Sequence, residues 1–405
     1  MVDRRPSLTK LINMSICIAS VSCQGAFSTS AVENAARQLR ESLEGAADLA
    51  IAFFTPDFLP HLAEFSDIIR VDGHISELVG STGTCTIFNE FENEGGPGFS
   101  ILAVRSPGAK PTVITQSADD LKCGTDAAWM TRHLPTTAGV VLMANPFHFP
   151  AEDWLAAFNQ SFPGTPVIGG LASGGSDEAS MAVFHNHRIV EGAVLLGFHG
   201  DLHLVPVVSQ GCRPIGEPLP VTKAEHNVVY SLGARPAYQA LEAAFESLTD
   251  AEKSSAQGNL FVGLANNEYV DEFKSGDFLI RNIIGADPGS GAVVIAGIPR
   301  LGQTLQYQIR DRDTADSDLK RALDRSWNPG YHEVVGSLIF SCTGRGTGMF
   351  GILNHDAATV QHAAGVHPSA GFFCNGEVGP VSKKNCSHSY TASIALLCVK
   401  RGQHQ

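Results

Sequence analysis

The sequence predicts an α/β protein: mixed α+β, two domains of mixed β-sheet packed with helices. Three observations lead there. A unit of strand, helix, strand, glycine-rich turn, polar hairpin and strand recurs along the chain, and such units bury a mixed sheet under helices. At 405 residues the chain is long for one core. The segment GCRPIGEPLPVT (211 to 222) carries Pro214, Pro218 and Pro220, which interrupt helix and sheet patterns alike and suggest a domain joint. The expected division is an extension over residues 1 to 13, a first domain over 14 to 222 and a second over 223 to 405.

The first element is the strand SICIASVS, which follows Arg4, Arg5 and Lys10. Asn13, Ser15 and Ser20 interrupt its apolar run, so it reads as a strand rather than a signal peptide. Ser30, with Glu33 three residues on, is expected to cap a helix whose inner face is Val32, Ala35, Ala36, Leu39 and Leu43, ending at Gly45. A buried strand, Leu49 to Phe54, leads to the turn at Pro56, and a glycine turn follows in LVGSTGTC. The second copy runs from the strand at Gly139 to Ala144 through Pro146. Pro150 opens its helix, with Trp154, Leu155 and Phe158 facing inward, and VIGGLASGG is its glycine turn. Each copy ends in a polar hairpin and an apolar strand, FSILAV (99 to 104) and GAVLLGF (192 to 198). The third copy starts at SLIFSCTGRGTGMFG (337 to 351), turns at SAGFFCNGEVG and ends at TASIALLCV (391 to 399). A weaker copy is read in FVGLANN, FLIRNIIGAD and AVVIAG (261 to 297), after a helix opened by Pro236 with Tyr238, Leu241, Phe245 and Leu248 on its apolar face.

Composition narrows the function. Lys and Arg number 28 against 41 Asp and Glu, a formal charge of −13, with no basic cluster, so nucleic acid is a poor partner. No run approaches a membrane span. Nine dispersed cysteines with no C-x-x-C pair suggest reduced thiols and a cytoplasmic location.

The third copy concentrates the chemistry. Gly346, Gly348 and Gly351 satisfy G-x-G-x-x-G, yet the first N-cap after them is Asn354 or Asp356. That is too late for a helix that must hold a pyrophosphate at its start. No G-K-[ST] occurs, no recognised zinc spacing appears among Cys374, Cys386, His388 and the histidine pairs, and no cofactor is expected. Cys342 at a strand end beside Arg345 is a candidate nucleophile; a small buried hydrophobe is the commoner role for such a cysteine. Glycines free backbone N–H groups for a small ligand. With them, Arg281, Arg345, Asn375 and Glu377 sit at the turns. Arginine suits a carboxylate and Glu377 an ammonium group, together a zwitterion such as an amino acid. The competing role for Arg281 and Arg345 is a structural ion pair. The candidate ligand-binding set is Cys342, Arg345, Gly371, Asn375 and Glu377, with Gly170 and Ser173 as first-half counterparts, and Arg281. No catalytic and no metal residue is assigned.

From about Met14 onward the chain resembles the FIST family, a sensory module named for F-box and intracellular signal transduction. LVGSTGTC, PVIGGLASGG, GAVLLGF, SQGCRPIGEPLPVT and ARPAYQAL resemble its first half. DFLIRNIIGADPGSGAVVIAG, QYQIRDRDTADSDL, FSCTGRG and SAGFFCNGEVGPV resemble its second. The resemblance implies a non-catalytic sensor that binds a small ligand, with amino acids as candidates, and signals through a protein partner. No F-box precedes the matching region and no kinase, methyl-accepting or cyclase module follows it, so an F-box adaptor role is not expected. The alternatives are an enzyme using Cys342 as nucleophile and a non-catalytic protein-interaction module.

Overall fold

The computed structural model describes residues 16–400, apart from 109, 124–126, 135–136, 257 and 274–275. The extension expected over residues 1 to 13 lies outside them.

The three copies seen in the sequence are three structural units. The first comprises β1 (Cys17–Gln24), α1 (Thr29–Leu43), β2 (Ala47–Phe54), α2 (Leu62–Asp72), β3 (Ile75–Thr82), the hairpin β4 (Thr86–Phe88) and β5 (Phe91–Asn93), and β6 (Gly98–Arg105). The predicted inner face of α1 is the buried one, although Ser28 rather than Ser30 sits at its N-cap. The second unit is β7 (Thr112–Ser117), α3 (Ala118–Cys123), α4 (Ala127–His133), β8 (Val140–Ala144), α5 (Ala151–Ser161), β9 (Val167–Leu171), the hairpin β10 (Val183–His185) and β11 (Arg188–Val190), and β12 (Gly192–Gly197). Pro150 precedes α5, which buries Trp154, Leu155 and Phe158 as its spacing predicts.

The third unit begins with β13 (His203–Gln210) and is then interrupted by an insert. The insert holds β14 (Cys212–Glu225), β15 (Val228–Leu232), β16 (Arg235–Pro236), α6 (Ala237–Glu246), α7 (Asp250–Ser255), β17 (Leu260–Ala265), β18 (Phe278–Asp287), β19 (Ala292–Ile295) and β20 (Thr304–Arg310). The unit resumes with α8 (Arg312–Ser326), β21 (His332–Cys342), the single turn α9 (Thr347–Phe350), α10 (His355–Ala364), β22 (Ser369–Cys374), the hairpin β23 (Glu377–Val381) and β24 (Lys384–His388), and β25 (Thr391–Lys400).

Each unit builds a four-stranded core with one parallel pair: β2 with β3, β8 with β9, β21 with β22. None of the three supplies its own hairpin. β10–β11 of the second unit extends the first sheet at β3, β23–β24 of the third extends the second sheet at β9, and β4–β5 of the first extends the third sheet at β22. The three six-stranded sheets are therefore joined by a cyclic exchange of hairpins. Their inner faces share one core, in which Phe53 of the first sheet packs against Phe340 and Phe372 of the third at ring-centre distances of 6.0 and 5.0 Å. The outer faces are covered by α1 and α2, by α4 and α5, and by α8 and α10.

The parallel pairs approach closely at one glycine in each unit. A Cβ on Gly80, Gly169 or Gly371 would stand 1.9, 1.8 or 2.0 Å from the carbonyl oxygen of Ala52, Leu142 or Ile339. Gly371 is thus set by strand packing rather than by a ligand.

Two sequence expectations change here. The proline-rich joint is strand β14, which bulges between Ile215 and Leu219 and passes from pairing with β20 to pairing with β15. Pro218 falls in the bulge, outside the ladder, whereas Pro214 and Pro220 stand opposite Gln308 and Thr304 of β20. The weaker fourth copy is antiparallel: β17 pairs with β18 and β18 with β19, and among the described residues no helix joins β17 to β18. Pairings in the order β14, β20, β17, β18, β19, β15 and back to β14 close a six-stranded ring, over which α6 packs. In α6 the small residues Ala237, Ala240 and Ala244 lie deepest, while Tyr238, Leu241 and Phe245 flank them. Residue 222, the expected boundary, falls inside β14, and strands from both sides of it share the second and third sheets.

Candidate functional site

Cys342 and Cys374 are register partners at the ends of the parallel strands β21 and β22, and Glu377 at the start of β23 faces Gly170 of β9. Three predicted residues, Cys342, Glu377 and Gly170, thus converge with Cys374 where the third unit meets the second. In the corresponding hairpin positions the other two sheets carry Val183, opposite Ser81, and Thr86, opposite Phe372. Only the Glu377 position puts a carboxyl group into the shared core at this level.

The convergence is a packed cluster. A Cβ on Gly170 would lie 2.8 Å from both Cβ and Sγ of Cys374, so glycine is needed there for packing. Glu377 is fully buried. Its Oε2 accepts from the Thr391 N–H at 3.1 Å, and Oε1 receives the Cys374 thiol at 3.4 Å. Burial pushes its carboxyl up to about 8, which disfavours the ionised form that an ammonium partner needs. Burial, and then the Glu377 carboxyl, push the Cys342 thiol up to about 12, although the Gly344 N–H points at its sulfur from 3.5 Å. That is the opposite of an activated nucleophile.

Arg345 has its counter-ion inside the protein. Nε and Nη2 donate to Oδ2 and Oδ1 of Asp356 at 2.7 and 2.8 Å, and the two side chains are 0% and 1% exposed. Burial would raise Asp356, yet the facing guanidinium holds its carboxyl well below the usual range. Ser341 donates to the same carboxylate at 2.6 Å, and His355 lies between Asp356 and Asp316 at 2.9 and 3.1 Å. The structural ion pair, the competing role for Arg345 in the sequence, is the one the geometry shows. Asn375 exposes its side chain and uses its N–H to bond Leu171 O at 3.0 Å. Ser173 ties the three glycine turns together: it accepts from the Thr84 N–H at 2.8 Å and donates to Phe373 O.

The glycine run after Cys342 is also occupied. Glu94, from the exchanged hairpin, accepts from the Thr347 N–H at 2.9 Å and from its hydroxyl at 2.7 Å, filling the anion position beside Gly346. Its neighbour Glu92 accepts from the Ala357 N–H at 2.9 Å at the start of α10. Asn354 is the N-cap of α10, as the spacing predicts; the single turn α9 before it was not foreseen.

Arg281 is placed differently. It projects from β18 of the ring and lines a cavity of about 460 Å³ between ring and sheets. Its Nη1 donates to Ile280 O and Ser387 O, each at 3.0 Å, and Nη2 to Glu152 Oε1 of α5 at 2.9 Å. Nε has no partner among the described residues. Gly297 lies against this side chain, where a Cβ would stand 3.2 Å from Nε. Arg300, Lys384 and Asn266 add polar groups to the cavity, and Leu264, Leu279 and Ile298 add apolar ones. The sequence pointed to Arg281 but not to Glu152, Arg300 or Lys384. Among the described residues no group of three or more His, Cys, Asp or Glu side chains is placed to hold a metal, and no helix is long and apolar enough to cross a membrane.

The class defined by this architecture is a mixed α/β protein of two bodies, a three-unit sheet assembly and an inserted strand ring with a ligand-sized cavity between them. The FIST N domain family model matches residues 48–235 and the FIST C domain model residues 237–380. The chain belongs to the FIST family. An uncharacterized protein of Mycobacterium tuberculosis is 33% identical over 369 residues, 90% of this chain and 95% of the relative. One of Mycobacterium bovis is 34% identical over 373 residues, again 90% and 95%. FIST domains are associated with sensing in signal transduction.

Proposed function

We propose that the protein is a non-catalytic sensor that binds a small molecule, with amino acids as the ligand class, and passes the signal to a protein partner. The observation that carries this is the cavity lined by Arg281. Its volume, about 460 Å³, falls in the range of small-molecule sites, roughly 300–1,000 Å³. It combines an oriented guanidinium with apolar walls at the joint between two bodies, where occupancy would alter how they meet. The Cys342 reading as a nucleophile is less well supported, because the thiol is buried and its pKa is displaced upward.

The test is a thermal-shift panel of amino acids, other small carboxylates and nicotinamide cofactors on the purified chain. A ligand selective for the folded state raises the melting temperature with concentration. A saturable shift with an amino acid, lost in Arg281→Gln, supports the reading; a panel with no shift refutes it.

A further inference from the structure

Resting on that reading, we propose that Glu152 is the specificity-determining residue of the Arg281 cavity: it holds the carboxylate position beside Arg281 and, when displaced, selects ligands that carry an ammonium group beside their carboxylate.

The argument starts from how Arg281 is held. Two backbone carbonyls fix Nη1, one on its own strand and one on β24, so the plane of the guanidinium is set before any ligand arrives. The edge left over comprises Nη2 and the unpartnered Nε, a fork that fits one carboxylate in bidentate fashion. Glu152 Oε1 already occupies half of that fork, at 2.9 Å. The two partners differ in constraint. The Arg281 side chain is 10% exposed, whereas that of Glu152 is 69% exposed. Glu152 is therefore the member free to swing away, and it lies in the first turn of α5, where a negative charge is favoured with or without a partner.

A ligand carboxylate that takes the fork leaves the Glu152 carboxylate beside it. Two carboxylates sharing one guanidinium repel, and an ammonium group on the ligand's α-carbon relieves that repulsion by bonding Glu152. A simple carboxylic acid has nothing to offer there. The apolar walls at Leu264, Leu279 and Ile298 suit an aliphatic tail, so the ligand class is an aliphatic α-amino acid. Because Glu152 belongs to α5 and Arg281 to the ring, each binding event also exchanges a contact between the two bodies for a contact with ligand.

The experiment titrates the full chain by calorimetry with L-leucine and with 4-methylpentanoate, which keeps the carboxylate and branched tail but lacks the amino group. The wild type should prefer leucine by about tenfold, the worth of one charge-assisted hydrogen bond. In Glu152→Gln the preference should fall to within about twofold, with 4-methylpentanoate binding more tightly than to the wild type because its competitor is gone. Glu152 is exposed, so this variant should fold, which a melt confirms. An unchanged preference in Glu152→Gln overturns the inference and leaves the sensor reading intact. So does a wild type that ignores leucine while another ligand of the panel shifts its melting temperature. If nothing in the panel binds, both readings fall.

Discussion

Replacing Arg345 with methionine leaves the Asp356 carboxylate in the interior with the His355 ring and the Ser341 hydroxyl as its remaining side-chain partners. Both side chains are essentially inaccessible and joined by two hydrogen bonds of 2.7 and 2.8 Å. Removing one partner of such a pair typically costs about 3–5 kcal/mol, chiefly from the charge left behind. An unfolding entropy of roughly 2.1 cal/mol/K per residue gives a chain of this size about 0.8 kcal/mol/K. The loss should then appear as a fall of ~4–6 °C in melting temperature, if the protein unfolds in one transition. The double variant Arg345→Met, Asp356→Asn should recover most of it, because the stranded charge is gone. The sign with pH is fixed as well. In the wild type the depressed Asp356 carboxyl contributes stability above its ordinary value of 3.8, and that contribution is lost only as pH falls through the still lower folded-state value. In Arg345→Met the same carboxyl is raised by burial, so the gap between variant and wild type should narrow from pH 8 to pH 5. Calorimetric melts at the two pH values decide the matter. A cost below about 1 kcal/mol, or one made worse by Asp356→Asn, would refute the assignment of Arg345 as a structural cation.

Three further outcomes are expected. Burial raises the carboxyls of Glu92 to about 7 and Glu377 to about 8 from ordinary values of 4.5. Each therefore contributes stability that is full below pH 4.5 and is lost as pH rises through the folded value, so Glu377→Gln should flatten the fall in stability between pH 5 and 8 measured by urea titration. Gly80→Ala, Gly169→Ala and Gly371→Ala should each cost more than about 3 kcal/mol or abolish soluble expression, since the new Cβ meets a backbone oxygen within 2.0 Å. Gly95→Ala, with open space around it, should change stability by under about 1 kcal/mol on the same melts. With iodoacetamide at pH 8, the partly exposed Cys17 and Cys23 should be modified before Cys342; mass spectrometry finding Cys342 first would restore the nucleophile reading.

The repeat was legible because its markers are local. Pro56 and Pro150 mark the starts of the helical segments, Gly80, Gly169 and Gly371 mark the tight parallel approach, and continuous runs such as VVLMA mark buried strands. The exchange of hairpins was not legible, because three-residue strands such as Thr86–Phe88 carry no signal of which sheet they will join. The convergence of Cys342, Glu377 and Gly170 was found, but its nature was misjudged. A glycine beside an arginine looks the same in sequence whether the space around it is open or filled, and the carboxylates that fill it come from elsewhere, Glu94 from the exchanged hairpin and Asp356 from α10. Arg281 was singled out in the sequence, and it lines the cavity between ring and sheets. Its ion-pair partner, Glu152, sits on another unit 129 residues away and carries no local mark of that pairing.

The hairpin Thr86–Phe88 with Phe91–Asn93 is translated well before the strand it joins, Ser369–Cys374. Phe88 pairs with Ala370, 282 positions later. At about 5–20 residues per second, ribosomes need roughly 14–56 s to cover that distance. Throughout that interval the nascent first unit presents an unpaired strand edge with Ile87 uncovered, the kind of edge on which other chains aggregate. Slowing translation between the two segments should therefore lower the soluble yield more than slowing it ahead of the hairpin, because it prolongs the exposure of that edge.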